Sequence, residues 1–170
     1  ALSASAQAFP SKPIRLVVPF PPGGAVDFFA RVVQQPLSDL LGQQVIIDNK
    51  AGASGMVGAE LVAKSAPDGY TLLLGNIASL AINVGIYAKM PYDPLKDFTP
   101  IIRTVDVNYV LVVHPSVPVK TVPELVAHAK ANPGKLAYGS AGSGSLPHLG
   151  TELFKVQTGT DMVHVPYKGG

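Results

Sequence analysis

The stretch Ile14-Arg15-Leu16-Val17-Val18-Pro19-Phe20-Pro21-Pro22-Gly23-Gly24-Ala25 decides the fold. Ile14–Val18 is a short apolar run of the kind that forms a buried strand, and Pro19 stops it because proline has no N–H to give a ladder. Apolar residues then recur at helical spacing from Val26 through Phe29, Ala30, Val33, Leu37, Leu40 and Leu41. Gly42 stands where a helix ends in a left-handed residue, and Pro36 predicts a kink or break inside the run. A glycine loop thus joins a strand to a helix. The helix start leaves N–H groups unpaired and carries partial positive charge, so it can hold an anion.

The same pattern repeats. Val45-Ile46-Ile47 reads as a second strand, and Asn49 leads into the turn Gly52-Ala53-Ser54-Gly55. A helix fits Met56–Ser65, Pro67-Asp68-Gly69 marks a turn, and Thr71–Leu74 is a third strand ending at Gly75-Asn76. Strand and helix in alternation argue for a parallel sheet flanked by helices. Pro91–Pro100 is dense in proline and predicts a connection between two lobes. Beyond it Ile101–Val105 and Tyr109–Val113 read as strands. Thr121-Val122-Pro123-Glu124 has the pattern of a capping box, opening a helix to about Ala131. Leu136–Tyr138 is then a strand, Leu146–Gln157 a helix and Met162–Val165 a last strand.

A second glycine loop, Gly139-Ser140-Ala141-Gly142-Ser143-Gly144-Ser145, lies between the Leu136–Tyr138 strand and the Leu146 helix. Two such loops, far apart in sequence, point to a small anion gripped from two sides rather than to turnover. The second loop offers the hydroxyls of Ser140, Ser143 and Ser145. No serine in it has glycine two residues away on both sides, which removes a nucleophile elbow. Neither dinucleotide nor P-loop spacing is present. A hydrolase using Ser140 or Ser143 would need a paired base, and none is evident in the sequence.

Other residues keep two readings. Pro21-Pro22-Gly23-Gly24 is either a binding loop or a tight turn. Asp27, in the first turn of its helix, is either a cap stabilised by the helix dipole or a contact to an ammonium group on a ligand. His148 and Glu152 share a helix face, as a local hydrogen bond or half of a metal pair. Lys168 is a surface charge or an anion contact. Arg15, Arg31 and Arg103 are the only guanidinium groups, and the first two are poorly placed as clamps because they lie within a strand and a helix.

Composition narrows the class. Of 170 residues, 47% are hydrophobic and 14% charged, which suits a packed α/β protein and not a disordered one. The net charge of +2 comes from scattered side chains, so no nucleic-acid footprint exists. With no cysteine, disulfides and thiolate metal sites are excluded. No apolar stretch approaches the ~18 residues that cross a bilayer. Residues 1–8 end in Ala6-Gln7-Ala8, an A-x-A pattern that reads as a signal-peptide remnant or, alternatively, as a floppy N-terminus.

These segments, in order, resemble the Bug family, periplasmic solute-binding receptors of tripartite tricarboxylate transporters. The resemblance rests on Pro13–Phe20, Pro22-Gly23-Gly24 with Asp27, Val45–Gly58, Pro67–Leu73, Tyr92–Pro100, Asn132–Leu136, Gly139–Gly144 with His148-Leu149, and Val165–Gly169. It implies an α/β, type II periplasmic binding-protein (Venus-flytrap) fold of two lobes, each a mixed, mainly parallel sheet flanked by helices. Lobe 1 would be residues 9–100 and a partial lobe 2 residues 101–170, with a C-terminal part missing.

It also implies an exported, periplasmic protein without enzymatic activity or cofactor. The ligand would be a dicarboxylate, aromatic carboxylate or amino acid, and the partners integral membrane transporter subunits. Presentation of the ligand to a membrane sensor kinase is the alternative, a serine-loop hydrolase the remoter one. Carried over by position, ligand contacts fall on Gly23, Gly24 and Ala25, on Asn76 and Ser79, and on Ser140, Gly142, Ser143 and Gly144. His148, Thr151 and Lys168 would lie nearby. A fragment of this kind is expected to self-associate through an exposed sheet edge.

Overall fold

The computed structural model describes residues 9–167, so the expectations for residues 1–8 and for Lys168 lie outside the described residues. The chain forms two compact units, Ala1–Phe98 and Thr99–Gly170.

The first unit is built on a sheet of three parallel strands in the order β2 (Val45–Asn49), β1 (Ile14–Val18), β3 (Thr71–Leu73). Side chains alternate across a strand. Ile14, Leu16 and Val18 therefore share one face, where they are buried with Val45 and with Ala30 of α1 (Ala25–Leu41). Val26, Leu37 and Leu41 of the same helix pack against that cluster. Val17 is also fully buried, on the opposite face. α2 (Met56–Ala63) packs on β1 and β3, and Gly58 permits it: a Cβ there would stand 2.8 Å from Pro19 Cα and 2.9 Å from the Lys50 carbonyl oxygen.

α1 ends at Gly42 in the left-handed conformation, φ 64°, as its position predicts. The expected break at Pro36 is absent. The helix runs through it without interruption, because packing along the Val26–Leu41 face outweighs one missing N–H. After β3 the chain makes a π-helical turn (Ala78–Ile82) and a short α3 (Asn83–Ile86). The proline-rich stretch is ordered up to the end of the unit. Tyr92 is buried, meets Phe98 edge to face at 5.5 Å and donates its hydroxyl to the Ser79 carbonyl. Asp93 and Asp97 cap the turn, accepting from Leu95 N–H at 2.9 Å and from Asp93 N–H at 2.7 Å.

In the second unit, α4 (Val122–Ala131) begins at Thr121, whose Oγ1 accepts from Glu124 N–H at 3.3 Å. The Glu124 carboxylate reaches back to Lys120 N–H at 2.7 Å, one residue before the expected capping-box partner. β4 (Ala137–Ser140) and β5 (Val163–Pro166) pair in parallel, Tyr138 opposite His164, with α5 (Leu146–Thr158) between them in the chain.

The strands expected at Ile101–Val105 and Tyr109–Val113 do not form. Residues 101–113 make no ladder with any described strand, and Val110 and Val112 are about four-fifths exposed. An apolar run becomes a strand only through a partner's hydrogen bonds. All described strand pairings are parallel, with helices packed on them.

Candidate functional site: two glycine loops at sheet edges

Because β1, β2 and β3 run parallel, the segments that follow them emerge at one edge of the sheet. Those segments are the loop Pro19–Gly24, the turn Gly52–Gly55 and Asn76–Ser79. Gly23 adopts φ 90°, a conformation costly for other residues, and turns the chain into α1. Its N–H does not face outward: it donates to Asp27 Oδ2 at 2.8 Å. Asp27 is 2% exposed and takes three further donors, Arg31 Nε at 2.8 Å, Arg31 Nη2 at 3.1 Å and Asn49 Nδ2 at 2.9 Å. The Arg31 bonds foremost, then the Gly23 amide and Asn49, hold its carboxyl well below the usual carboxylate range against the opposing effect of burial.

In the sequence Asn49 only leads into the Gly52–Gly55 turn; in the fold it ends β2. Its amide also donates to the Phe20 carbonyl at 3.1 Å, so one side chain ties the loop to the carboxylate that shapes it. The signal was its place at the end of β2, level with Val18. Beyond Gly23, the amides of Ala25 and Val26 in the first turn of α1 have no intrahelical carbonyl to meet.

Asn76 and Ser79 turn towards each other. Ser79 N–H donates to Asn76 Oδ1 at 3.2 Å and Ser79 Oγ to the Asn76 carbonyl at 3.1 Å. Ser79 is fully buried, and Gly55 lets the neighbouring turn approach: a Cβ there would sit 3.1 Å from both Phe20 Cζ and Ser79 Cβ.

In the second unit, the loop Gly139–Ser145 leaves β4 and opens α5. Gly144 has φ 79° and donates its N–H to His148 Nδ1 at 3.2 Å. Ser145 is the N-cap of α5 but makes no capping bond, and its Oγ is a buried atom without a partner. The Thr151 hydroxyl bonds its own helix at the Pro147 carbonyl, 2.9 Å away. Tyr167 lies over the loop: its N–H donates to the Ser140 carbonyl at 2.9 Å, and a Cβ on Gly139 would be 3.2 Å from its ring.

A base does stand beside Ser140, contrary to the sequence reading. His164 Nε2 is 2.6 Å from Ser140 Oγ. The parallel register joins residues 24 apart in sequence, which spacing alone could not reveal. Ser140 Oγ also accepts from Gly142 N–H at 3.1 Å and lies 3.2 Å from the Gly142 carbonyl, to which it can donate. A hydroxyl has one proton, so all three bonds are satisfied together when Nε2 carries the hydrogen and donates to Ser140. In that tautomer the ring fastens the loop and cannot act as a base towards the hydroxyl.

His164 stacks between Tyr138 (5.0 Å between centroids) and His148 (4.1 Å). Burial first, and then the charge of His148, push the His164 imidazole below its ordinary value; Lys155 adds to this and Glu152 opposes it. Glu152 does not hydrogen-bond His148. It accepts from the Tyr138 hydroxyl and from Lys155 Nζ at 2.9 Å, which together hold it below the usual carboxylate range. Burial and that carboxylate raise Tyr138. Among the described residues, no group of three His, Cys, Asp or Glu could hold a metal ion, so the metal-pair reading has no support.

All three arginines are engaged: Arg15 with Asp48, Arg31 with Asp27, and Arg103 with Asp106 at 3.0 Å. No helix among the described residues is long and apolar enough to cross a membrane.

The comparisons with known proteins agree on one family. Protein BugT of Bordetella pertussis is 45% identical over 166 residues, covering 97% of this chain and 51% of BugT. The solved structure described as R. palustris Rpa4515 with adipate is 44% identical, with a TM-score of 0.89, over 95% of this chain and 54% of that one. MatC (Rpa3494) from Rhodopseudomonas palustris with bound malate is 31% identical, with a TM-score of 0.79, over 95% and 55%. The chain thus spans about half the length of the relatives it matches. Its fold is that of the periplasmic binding proteins, and its relatives are receptors rather than enzymes, which disposes of the serine-loop hydrolase. Residues 29–170 match the family described as "Tripartite tricarboxylate transporter family receptor", and the chain belongs to it.

Proposed function

We propose that this chain carries the ligand-reading loops of a periplasmic receptor that captures a small organic carboxylate and delivers it to integral membrane transporter subunits. One observation carries the reading: each of two glycine loops leaves the C-terminal end of a parallel strand and opens a helix of thirteen or more residues. Such helix starts gather amides and a positive dipole end on an anion without any guanidinium. Adipate and malate, which accompany the solved structures of two relatives, are the class of ligand that such a site suits.

In this reading Ala25 and Gly24 supply amides from the first loop, with Gly23 shaping it. Ser143, Gly144 and Ser145 face the ligand in the second, and Ser140 and Gly142 set its form. Asn76 borders the first loop. Asp27 acts through the loop rather than on the ligand, being saturated by four donors.

A thermal-shift screen against adipate, malate, citrate, benzoate and aspartate tests it. A ligand at a hundred times its dissociation constant adds ~2.7 kcal/mol, a rise of ~5–10 °C for a chain of this size. A rise with one carboxylate class, absent with the matching amides or alcohols, supports the reading. No rise with any carboxylate, in a folded chain, overturns it.

A further inference from the structure

Each glycine loop holds an acceptor side chain four residues beyond one of its own amides. Asp27 takes Gly23 N–H in the first, and His148 Nδ1 takes Gly144 N–H in the second. Both acceptors occupy a donor that would otherwise be open to an anion at a helix start. They differ in chemistry. A carboxylate with four donors keeps its charge near neutrality, whereas an imidazole nitrogen accepts only while it is unprotonated.

A proton on His148 Nδ1 reverses its bond to Gly144. Two N–H groups then face one another, and both become available to an outside acceptor. The surroundings favour this outcome over a local ion pair. On its own helix His148 has Glu152 and Lys155, and that carboxylate is already taken by Lys155 and the Tyr138 hydroxyl. From β5 it meets the face of His164, and from β4 come Tyr138, behind that ring, and Ser140, hydrogen-bonded to it. Two imidazolium rings 4.1 Å apart would repel, so the stack carries one positive charge more readily than two. Ser145 Oγ, buried and without a partner beside Gly144, is a further donor waiting for an acceptor.

We propose that His148 is a proton-operated gate on the second loop: by taking up a proton it releases Gly144 N–H and adds its own Nδ1–H, and the two receive the ligand carboxylate. Binding at this loop is then coupled to uptake of up to one proton. The proposal rests on the carboxylate-receptor reading above, and its test separates the two.

Titration calorimetry of the chain with adipate and with malate, at pH 7.5 in Tris and in HEPES, reads proton uptake from the difference in heat. The expected result is uptake between zero and one, with Kd tightening by up to ~10-fold per pH unit from pH 8 to 6. His148→Gln keeps an amide at the position but cannot titrate, so it should bind with no proton uptake and a Kd independent of pH. His164→Gln keeps the donor to Ser140 and should retain the uptake. Binding without proton uptake by the unaltered chain, or uptake persisting in His148→Gln, overturns the gate.

Should neither acid bind at any pH, the receptor reading is decided by the wider carboxylate screen, and the gate is still decided on the ligand-free chain by NMR. The Gly144 amide shift must titrate with the midpoint of the His148 ring and stay constant in His148→Gln. A Gly144 amide that ignores His148 overturns the gate.

Discussion

Asp27→Asn isolates the network that shapes the first loop. The carboxylate is buried and accepts four hydrogen bonds, two on each oxygen: Gly23 N–H and Arg31 Nε on Oδ2, Asn49 Nδ2 and Arg31 Nη2 on Oδ1. An asparagine offers one acceptor oxygen, and its NH₂ must confront the donors of the other side. Two bonds are lost in either orientation. At about 1.5–3 kcal/mol for each bond to a charged group, the loss spans ~3–6 kcal/mol. Arg31 is 54% exposed and recovers water, which places the expected value near the lower end, ~3 kcal/mol. For a unit of about a hundred residues this lowers the melting temperature by ~12–24 °C.

The sign of the pH dependence follows from the direction of the shift. A carboxyl held below its ordinary value stabilises the fold fully above the unfolded value of about 4, and the stabilisation is lost as pH falls through the folded one. The gap between wild type and variant should therefore be widest near pH 7 and close towards pH 2. Urea unfolding by far-UV circular dichroism, with hydrogen exchange of the β1 amides to report the first unit alone, measures both. A loss under ~1 kcal/mol at pH 7, or a gap that does not narrow in acid, would refute the argument that this network holds the loop.

Gly58→Ala should destabilise the first unit by ~1–3 kcal/mol despite alanine's better helix propensity, because the new methyl meets Pro19 and the Lys50 carbonyl at under 3 Å; chemical denaturation measures it. Thr121→Ala should cost ~1 kcal/mol through the lost cap of α4, while Thr121→Ser stays near neutral in the same assay. Tyr138→Phe removes the hydroxyl whose hydrogen bond does most to hold the Glu152 carboxyl down, so that carboxyl should titrate higher than in the unaltered chain when followed by carbon NMR.

What could be read in the sequence was what local chemistry decides. Pro19 ends a strand, Gly42 ends a helix and Thr121 starts one, each by its own backbone or side-chain properties, and the parallel βα alternation follows from their order. What could not be read depended on partners distant in the chain. Residues 101–113 have strand-like side chains, yet strand formation requires a ladder that their own composition does not supply. Pro36 carries a local preference for a break, but the helix face on either side of it is fixed by β1 and β2. The Asn49–Asp27 bond spans 22 residues and the Ser140–His164 bond 24, and both arise from the register of parallel strands. A histidine with no recognisable partner in the sequence is, in the fold, the residue that fastens the second loop.

An aspartate in the first turn of α1 looks at first like an obstacle to anion capture, since its charge should repel a carboxylate. Its surroundings remove the objection. Arg31 neutralises it within one helical turn, so the pair contributes no net charge, and the dipole of a seventeen-residue helix remains. The carboxylate meanwhile holds the Gly23 amide and, through Asn49, the Phe20 carbonyl, so the loop keeps its shape without any ligand. The first loop is thus preorganised by a fixed charge that has been cancelled, and less ordering entropy opposes binding there. The second loop has the same construction with a titratable acceptor in place of the fixed one, fastened by a second imidazole from the neighbouring strand. In the proposed receptor, the same four-residue spacing with different acceptors would give one loop a constant affinity for anions and let the other respond to protons.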